Sequence, residues 1–462
     1  MYYTELLKLC GFEDAEIERE RPRLDKAFKK LELGPEDCQR AEDRLREYYS
    51  VELLGVRRSL GIWLKDLIDL VLAKEEGKKV VYTGVPPPAG LVLSLILAGV
   101  WCGVLDYTLG LTIGQIFGKI IPLLEAAEEQ GMPPEVAACS FHQARLGGIV
   151  KGIVPMPDAA ISPGFFCDQS AKVWDLIHEI YGVPVMHLDS CMDSGWDEWP
   201  EIPHRRVRLY ADDTREAKEE LERVLGVEIS EEVLRAGWRR WVELRLSAQR
   251  MIELTKVEPK PISQVDLNPF FRIVSVPGKH ALEEGTEVIG ILTREVEKRV
   301  EEGKGVIEKG APRVGCYALP VSNIALTRMF EESGLNLVGP LAYYLPPLQL
   351  MESKYTTPEE QSIEGSLRRG VFHGTSGFLT ENNDGARTLG LDGFFWFNQY
   401  ACRASTPQML IYKKGMEDEL GIPVLLLEGD LFDPRSYRAE ALRTRVEAFA
   451  DLLQMRKAAK GA

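Results

Sequence analysis

The spacing of apolar positions divides the 462-residue chain into four stretches. Over residues 1–78, apolar residues recur at three- and four-residue intervals among dense charge, as in CQRAEDRLREYYSVELLGVRRSLGIWLKDLIDLVLAKEEG, and Gly77 supplies a stop. This pattern predicts an N-terminal helical domain. From Lys79 it gives way to short apolar runs separated by helical segments. KVVYTGV, VWCGVLDY, IVPMPDAAISPG and VPVMHLD read as strands, and TIGQIFGKIIPLLEAAEEQG and SAKVWDLIHEIYG as helices. Residues 211–309 return to charged helical periodicity. A second alternation begins at PRVGCYALPV and continues through LNLVGPL, LDGFFWFN and IPVLLLEGD. Within it, TENNDG (residues 380–385) reads as a turn in a loop.

Strands that alternate with helices pair in parallel, with the helices covering the sheet. The expected class is therefore α/β: two parallel-sheet domains of flavodoxin or Rossmann type, residues 79–210 and 310–462, with an N-terminal helical domain (1–78) and a helical connecting segment (211–309). Sites in such sheets lie beyond the carboxyl ends of the strands. AGLVLSLILAGVWCGVL, residues 89–105, is apolar enough to suggest a membrane span. It is shorter than the roughly 20 residues a span needs and follows Pro86, Pro87 and Pro88. It reads as a buried helix leading into a buried strand, and no membrane association is expected.

Composition narrows the function. A formal charge of −15 excludes the clustered cationic surface that nucleic-acid binding requires. GxGxxG and GxxxxGK[ST] are both absent, so the chain is not expected to hydrolyse ATP itself. The start, MYYTELLKLCGFEDAEIERE, lacks the basic beginning and cleavage site of a signal peptide, which predicts a cytoplasmic, reducing location. Eight cysteines (Cys10, Cys38, Cys102, Cys139, Cys167, Cys191, Cys316 and Cys402), none in a CxxC pair, are too sparse for a disulfide framework.

Three of them fall where an open sheet presents site residues. EVAACSFHQARLGG places Cys139 before a helix start, AAISPGFFCDQSAKVWDL places Cys167 between a strand end and a helix, and FFWFNQYACRAS gives Cys402 the same position in the second domain. Thiolates at helix N-termini are favoured by the local dipole and suit soft metals. Three of them converging between two domains suit one [4Fe–4S] cluster with an open fourth iron. The wide sequence separations are not diagnostic, and a lone cysteine after an apolar run is also an ordinary core filler. On residues alone both readings stand. HLDSCMDSGWDEWPEIPHRR, residues 187–206, gathers His187, Asp189, Asp193, Asp197, Glu198 and His204, but its glycine and prolines read as a solvated surface loop.

ACSFHQARLGG, FFCDQSAKVWD and YACRASTPQMLIYKKGMEDELGIPVLLLEGDLFDPRSYRAEALRTRVEAFADLL resemble the cluster segments of 2-hydroxyacyl-CoA dehydratase and class I benzoyl-CoA reductase subunits. The resemblance covers roughly residues 80–200 and 311–455. It implies one [4Fe–4S] cluster held by Cys139, Cys167 and Cys402, a related second subunit in a heterodimer, an acyl-CoA substrate, and a separate ATP-dependent iron–sulfur activase that delivers a low-potential electron. That electron drives either loss of an unactivated hydroxyl or reduction of an aromatic ring. Near the ligands, His142 is placed to donate to a sulfur or to cap its helix. Arg145 and Arg403 are placed to offset thiolate charge or to meet a CoA phosphate. Double-cubane relatives use a further cysteine after the strand that follows the Cys316 segment, and it is missing here. Where many relatives have a carboxylate before the first helix of the α/β domain, this chain has GVPPPAG. The absence favours ring reduction, or an electron-relay subunit whose partner chain binds the substrate. A cluster-free structural relative is the remaining alternative.

Overall fold

A computed structural model describes residues 1–133, 138–164, 167–189, 195–196, 198–317, 323–339, 353–402 and 406–461. Helices Thr4–Leu9, Asp14–Lys30, Pro35–Tyr48 and Leu54–Leu72 make up the N-terminal unit. The last of these is buried on nearly every face. Its apolar surface is wide because it is sandwiched between the other N-terminal helices and the long helix Lys279–Glu301.

Buried charge also ties these two elements together. The Asp69 carboxylate accepts from Arg23 at 2.9 Å, Lys279 at 2.7 Å and His280 Nε2 at 3.2 Å. His280 Nδ1 lies 3.0 Å from Glu284, and Lys65 bridges Glu16 and Glu284. Burial opposes a charge on His280, but Asp69 and Glu284 outweigh it and lift the imidazole to about 9. Glu284 is brought down to about 2 against its own burial, by His280 and Lys65. Nearby Asp66, dominated by burial, rises to about 6.

The first sheet contains β1 (Val80–Thr83), β2 (Trp101–Gly103), β3 (Ala159–Pro163) and β4 (Val185–Leu188), all parallel, in the order β2-β1-β3-β4. The second contains β5 (Arg313–Cys316), β6 (Asn336–Val338), β7 (Gly393–Gln399) and β8 (Val424–Gly429), in the equivalent order β6-β5-β7-β8. Strands buried on both faces read as continuous apolar runs, and the seven residues of β7, GFFWFNQ, are all buried. In each sheet the direction of growth reverses between the first and third strands in chain order. These reversals are the switch points at which open sheets bind ligands. The apolar stretch after Pro88 is helix Ala89–Leu97 followed by β2, as its sequence predicted, and no helix of the described residues is long and apolar enough to cross a membrane.

Two local expectations are corrected. The single helix expected over TIGQIFGKIIPLLEAAEEQG is a π-helical segment, Gly110–Ile116, and a separate helix, Ile121–Glu129. Gly118, at φ +62°, turns the chain between them. TENNDG is not a loop: it lies inside helix Gly374–Leu389. Its Glu381, Asn382 and Asn383 are buried and paired within the fold. Asn382 donates to the Phe378 carbonyl at 2.8 Å, and Asn383 donates to Glu419 at 2.6 Å. Those tertiary partners override the local turn preference.

Helix Ile121–Glu129 packs on helix Ser140–Val150 at very close range. A Cβ on Gly147 would lie 1.8 Å from the Leu123 carbonyl oxygen. One apolar core extends from Phe28 through Trp63, Trp174 and Phe270 to Trp396 and Phe432, so both sheets and the intervening helices share it.

Candidate active site

Exposure separates the described cysteines into two groups. Cys10, Cys38, Cys102 and Cys316 are buried, whereas Cys139, Cys167 and Cys402 are partly exposed. Cys139 is the N-cap residue of helix Ser140–Val150 and Cys167 that of helix Asp168–Tyr181, both with extended backbone, and Cys402 follows β7. The three lie close enough for their charges to act on one another. Burial pushes the Cys139 thiol up, and the charges of Asp430, Cys167 and Cys402 push it further in the same direction. Cys191 and Arg403 lie outside the described residues, as do Asp193 and Asp197 of the 187–206 segment.

The surroundings of the thiols are built from both domains. His142 Nε2 lies 3.4 Å from Cys167 Sγ, and its Nδ1 lies 3.2 Å from Arg145 and 3.5 Å from Asp106. Arg145 and Asp106 are fully buried, with a shortest contact of 2.9 Å. The guanidinium also donates to Ser170 Oγ at 3.1 Å and stacks on Trp174 at 4.3 Å. Arg145 is thus committed to the interior, with no solvent-facing surface. Burial opposes ionisation of Asp106, but Arg145 and His142 hold its carboxyl below the usual range. Burial also opposes a charge on His142, yet Asp106 and Cys167 raise it overall. Burial would raise Cys167, and His142 reverses that into a lowered thiol.

On the other side, Asp430 directly follows β8 and collects donors from both domains. Ser140 donates to it from the Cys139 helix, Gln399 at 2.6 Å from the end of β7, and the Phe432 and Asp433 backbone N–H groups at 2.8 and 2.9 Å. Gln399 Nε2 also approaches Cys139 Sγ at 3.8 Å. Phe141 stacks on Phe432 at 4.4 Å and closes an apolar wall across the domain junction.

Among the described residues, no three His, Cys, Asp or Glu side chains close on a point as a single ion would require. A four-iron cluster makes a different demand, because each thiolate binds its own iron and the sulfurs stand wider apart. Three partly exposed thiols near one another, with His142 beside one of them, fit that demand.

A cavity of about 130 Å³ begins at Pro86 and Pro87, beyond the carboxyl end of β1. Trp238, Trp241, Arg245 and Arg369 line it, and no carboxylate among the described residues does.

The family model for the 2-hydroxyglutaryl-CoA dehydratase D-component matches residues 98–453. The chain belongs to that family. It is 21% identical to the alpha subunit of (R)-2-hydroxyglutaryl-CoA dehydratase from Acidaminococcus fermentans, a match spanning 67% of this chain and 63% of that one. It is 22% identical to the (R)-phenyllactyl-CoA dehydratase alpha subunit of Clostridium sporogenes, over 73% and 82% of the two chains. It is 23% identical to one of the subunits of benzoyl-CoA reductase from Thauera aromatica, over 83% and 91%. Dehydratases and a reductase thus stand at nearly equal distance.

Sequence reasoning singled out neither Asp106 nor Asp430. Asp430 directly follows β8, and Asp106 closely follows β2. The rule that pointed to Cys167 and Cys402 would have found both.

Proposed function

We propose that this chain is the iron–sulfur subunit of an oxygen-sensitive 2-hydroxyacyl-CoA dehydratase or benzoyl-CoA reductase type of enzyme. In this reading Cys139, Cys167 and Cys402 hold a [4Fe–4S] cluster, a related second subunit completes the enzyme, and a separate ATP-driven activase supplies the electron. The observation that carries the reading is the division of the thiols. Those from the strand and helix ends of both domains are partly exposed and near one another, while the other described cysteines are buried.

When bound, the cluster supplies one-electron reducing chemistry. The chain's own residues prepare the place for it. His142 hydrogen-bonds Cys167, and the Arg145–Asp106 pair fixes the ring from behind. Ser140, Gln399 and Asp430 lock the two domains around the cleft. Phe141 and Phe432 keep water from one side, which a strong reductant requires. The cavity at Pro86 and Pro87 offers the indoles of Trp238 and Trp241 as stacking faces to a planar part of a CoA thioester.

The same cavity favours reduction or electron relay over dehydration, because prolines stand where many relatives have a carboxylate and none of the described residues lining the wall is acidic. The test is EPR of the anaerobically purified chain, reduced, with and without benzoyl-CoA or 2-hydroxyacyl-CoA esters. An ester-dependent change of the cluster signal is expected. No change with any ester, combined with turnover by the assembled enzyme, would make this chain the relay and its partner the substrate subunit.

A further inference from the structure

β7 is apolar until its last two residues, Asn398 and Gln399, and both of these are buried. A buried amide is costly unless its donors and its acceptor find partners. Gln399 finds them in both domains. Its Oε1 accepts from the Leu431 backbone N–H, a group that can only donate, and this fixes which way the amide points. Nε2 is thereby turned toward Asp430 Oδ2 at 2.6 Å and Cys139 Sγ at 3.8 Å. One N–H serves the carboxylate and the other the sulfur.

The main chain of the same residue holds a second thiol segment. The Gln399 carbonyl accepts from the Cys402 N–H at 2.9 Å and from the Thr406 hydroxyl at 2.8 Å, which fixes the turn after β7. Gln399 therefore meets the Cys402 segment through its backbone and Cys139, across the domain junction, through its side chain. Asp430 is a firm anchor for the amide, because Ser140 and the Phe432 and Asp433 N–H groups hold the carboxylate as well.

We propose that Gln399 is a positioning residue whose side-chain amide donates a hydrogen bond to the Cys139 sulfur and raises the potential of the group that sulfur holds. It acts across the domain junction, as His142 acts on Cys167 from within the first domain. The inference rests on the cluster reading above. A donor to a ligand sulfur stabilises the state carrying the extra electron more than the state without it, and hydrogen bonds to the sulfurs are one of the determinants of cluster potential.

Gln399→Met removes the amide and keeps most of its volume. Ser140→Ala is the control for a loosened junction, since it too removes a donor to Asp430. Iron per chain and the cluster midpoint potential are measured anaerobically for the wild type and both variants. A lower potential in Gln399→Met at unchanged iron, with Ser140→Ala at the wild-type value, supports the proposal. Equal shifts in the two variants would assign the effect to the junction, and no shift in Gln399→Met would deny the amide any influence. Either result overturns the proposal and leaves the cluster reading intact. If Gln399→Met loses its iron, the wild type decides. Pulsed EPR of the reduced protein, labelled with heavy nitrogen in its glutamine side-chain amides, shows a coupled nitrogen if the bond exists, and no coupling overturns the proposal. Wild-type protein without iron would overturn both this inference and the cluster reading.

Discussion

Arg145→Met should lower stability by about 3–5 kcal/mol, the cost of leaving a buried charge without its partner. Asp106 and Arg145 have no exposed side-chain surface. Removing the guanidinium strands the Asp106 carboxylate in the core, removes a donor to Ser170 and takes away the neighbour packed against His142 Nδ1. The double variant Arg145→Met/Asp106→Leu should be clearly more stable than Arg145→Met alone, because nothing charged is then left unpaired. Urea denaturation of both variants measures the difference. A double variant as unstable as the sum of the two single losses would show that the pair matters only as filler. The single variant should also weaken the hold on His142, and through it on Cys167.

Raising the pH from about 6.5 to above 9 should destabilise the junction between the N-terminal helices and helix Lys279–Glu301. His280 titrates at about 9 in the folded chain and near 6.5 when unfolded. A raised folded value means that its contribution is complete below 6.5 and lost as pH climbs through 9. A shift of this size corresponds to roughly 3 kcal/mol. The carboxylates that hold it, Asp69 and Glu284, are both kept below their usual range and are already ionised in that window, so the loss belongs to the imidazolium. Asp66 works in the same sense at lower pH: its raised value of about 6 means that stability is lost as pH rises from about 4 to 6. Stability measured against pH should therefore fall between 6.5 and 9 in the wild type and stay nearly flat there in His280→Gln. A parallel fall in the variant would assign the pH effect to other groups.

The α/β class was legible because its signals are local. Apolar runs such as VVYT and GFFWFNQ are buried strands on both faces, and they announce themselves without reference to the rest of the chain. TENNDG misled for the opposite reason. Its turn-forming residues are helical because Phe378 and Glu419 take their hydrogen bonds, and those partners are set by packing. The cysteines that share the cleft could be named from their places after strands or before helices. Their separation from core fillers could not, since Cys102 and Cys316 also end apolar runs and differ only in burial. Asp430 illustrates the limit: its carboxylate matters because Ser140, far away in sequence, donates to it across the domain junction.

The most direct test of the central claim is iron and acid-labile sulfide per chain, on protein purified without oxygen, for wild type and Cys402→Ser. About four irons per chain in the wild type, the number in one cubane cluster, with a sharp fall in the variant, is the predicted result. Little iron in either protein, or iron that is indifferent to Cys402, would contradict a cluster held across the two domains by Cys139, Cys167 and Cys402.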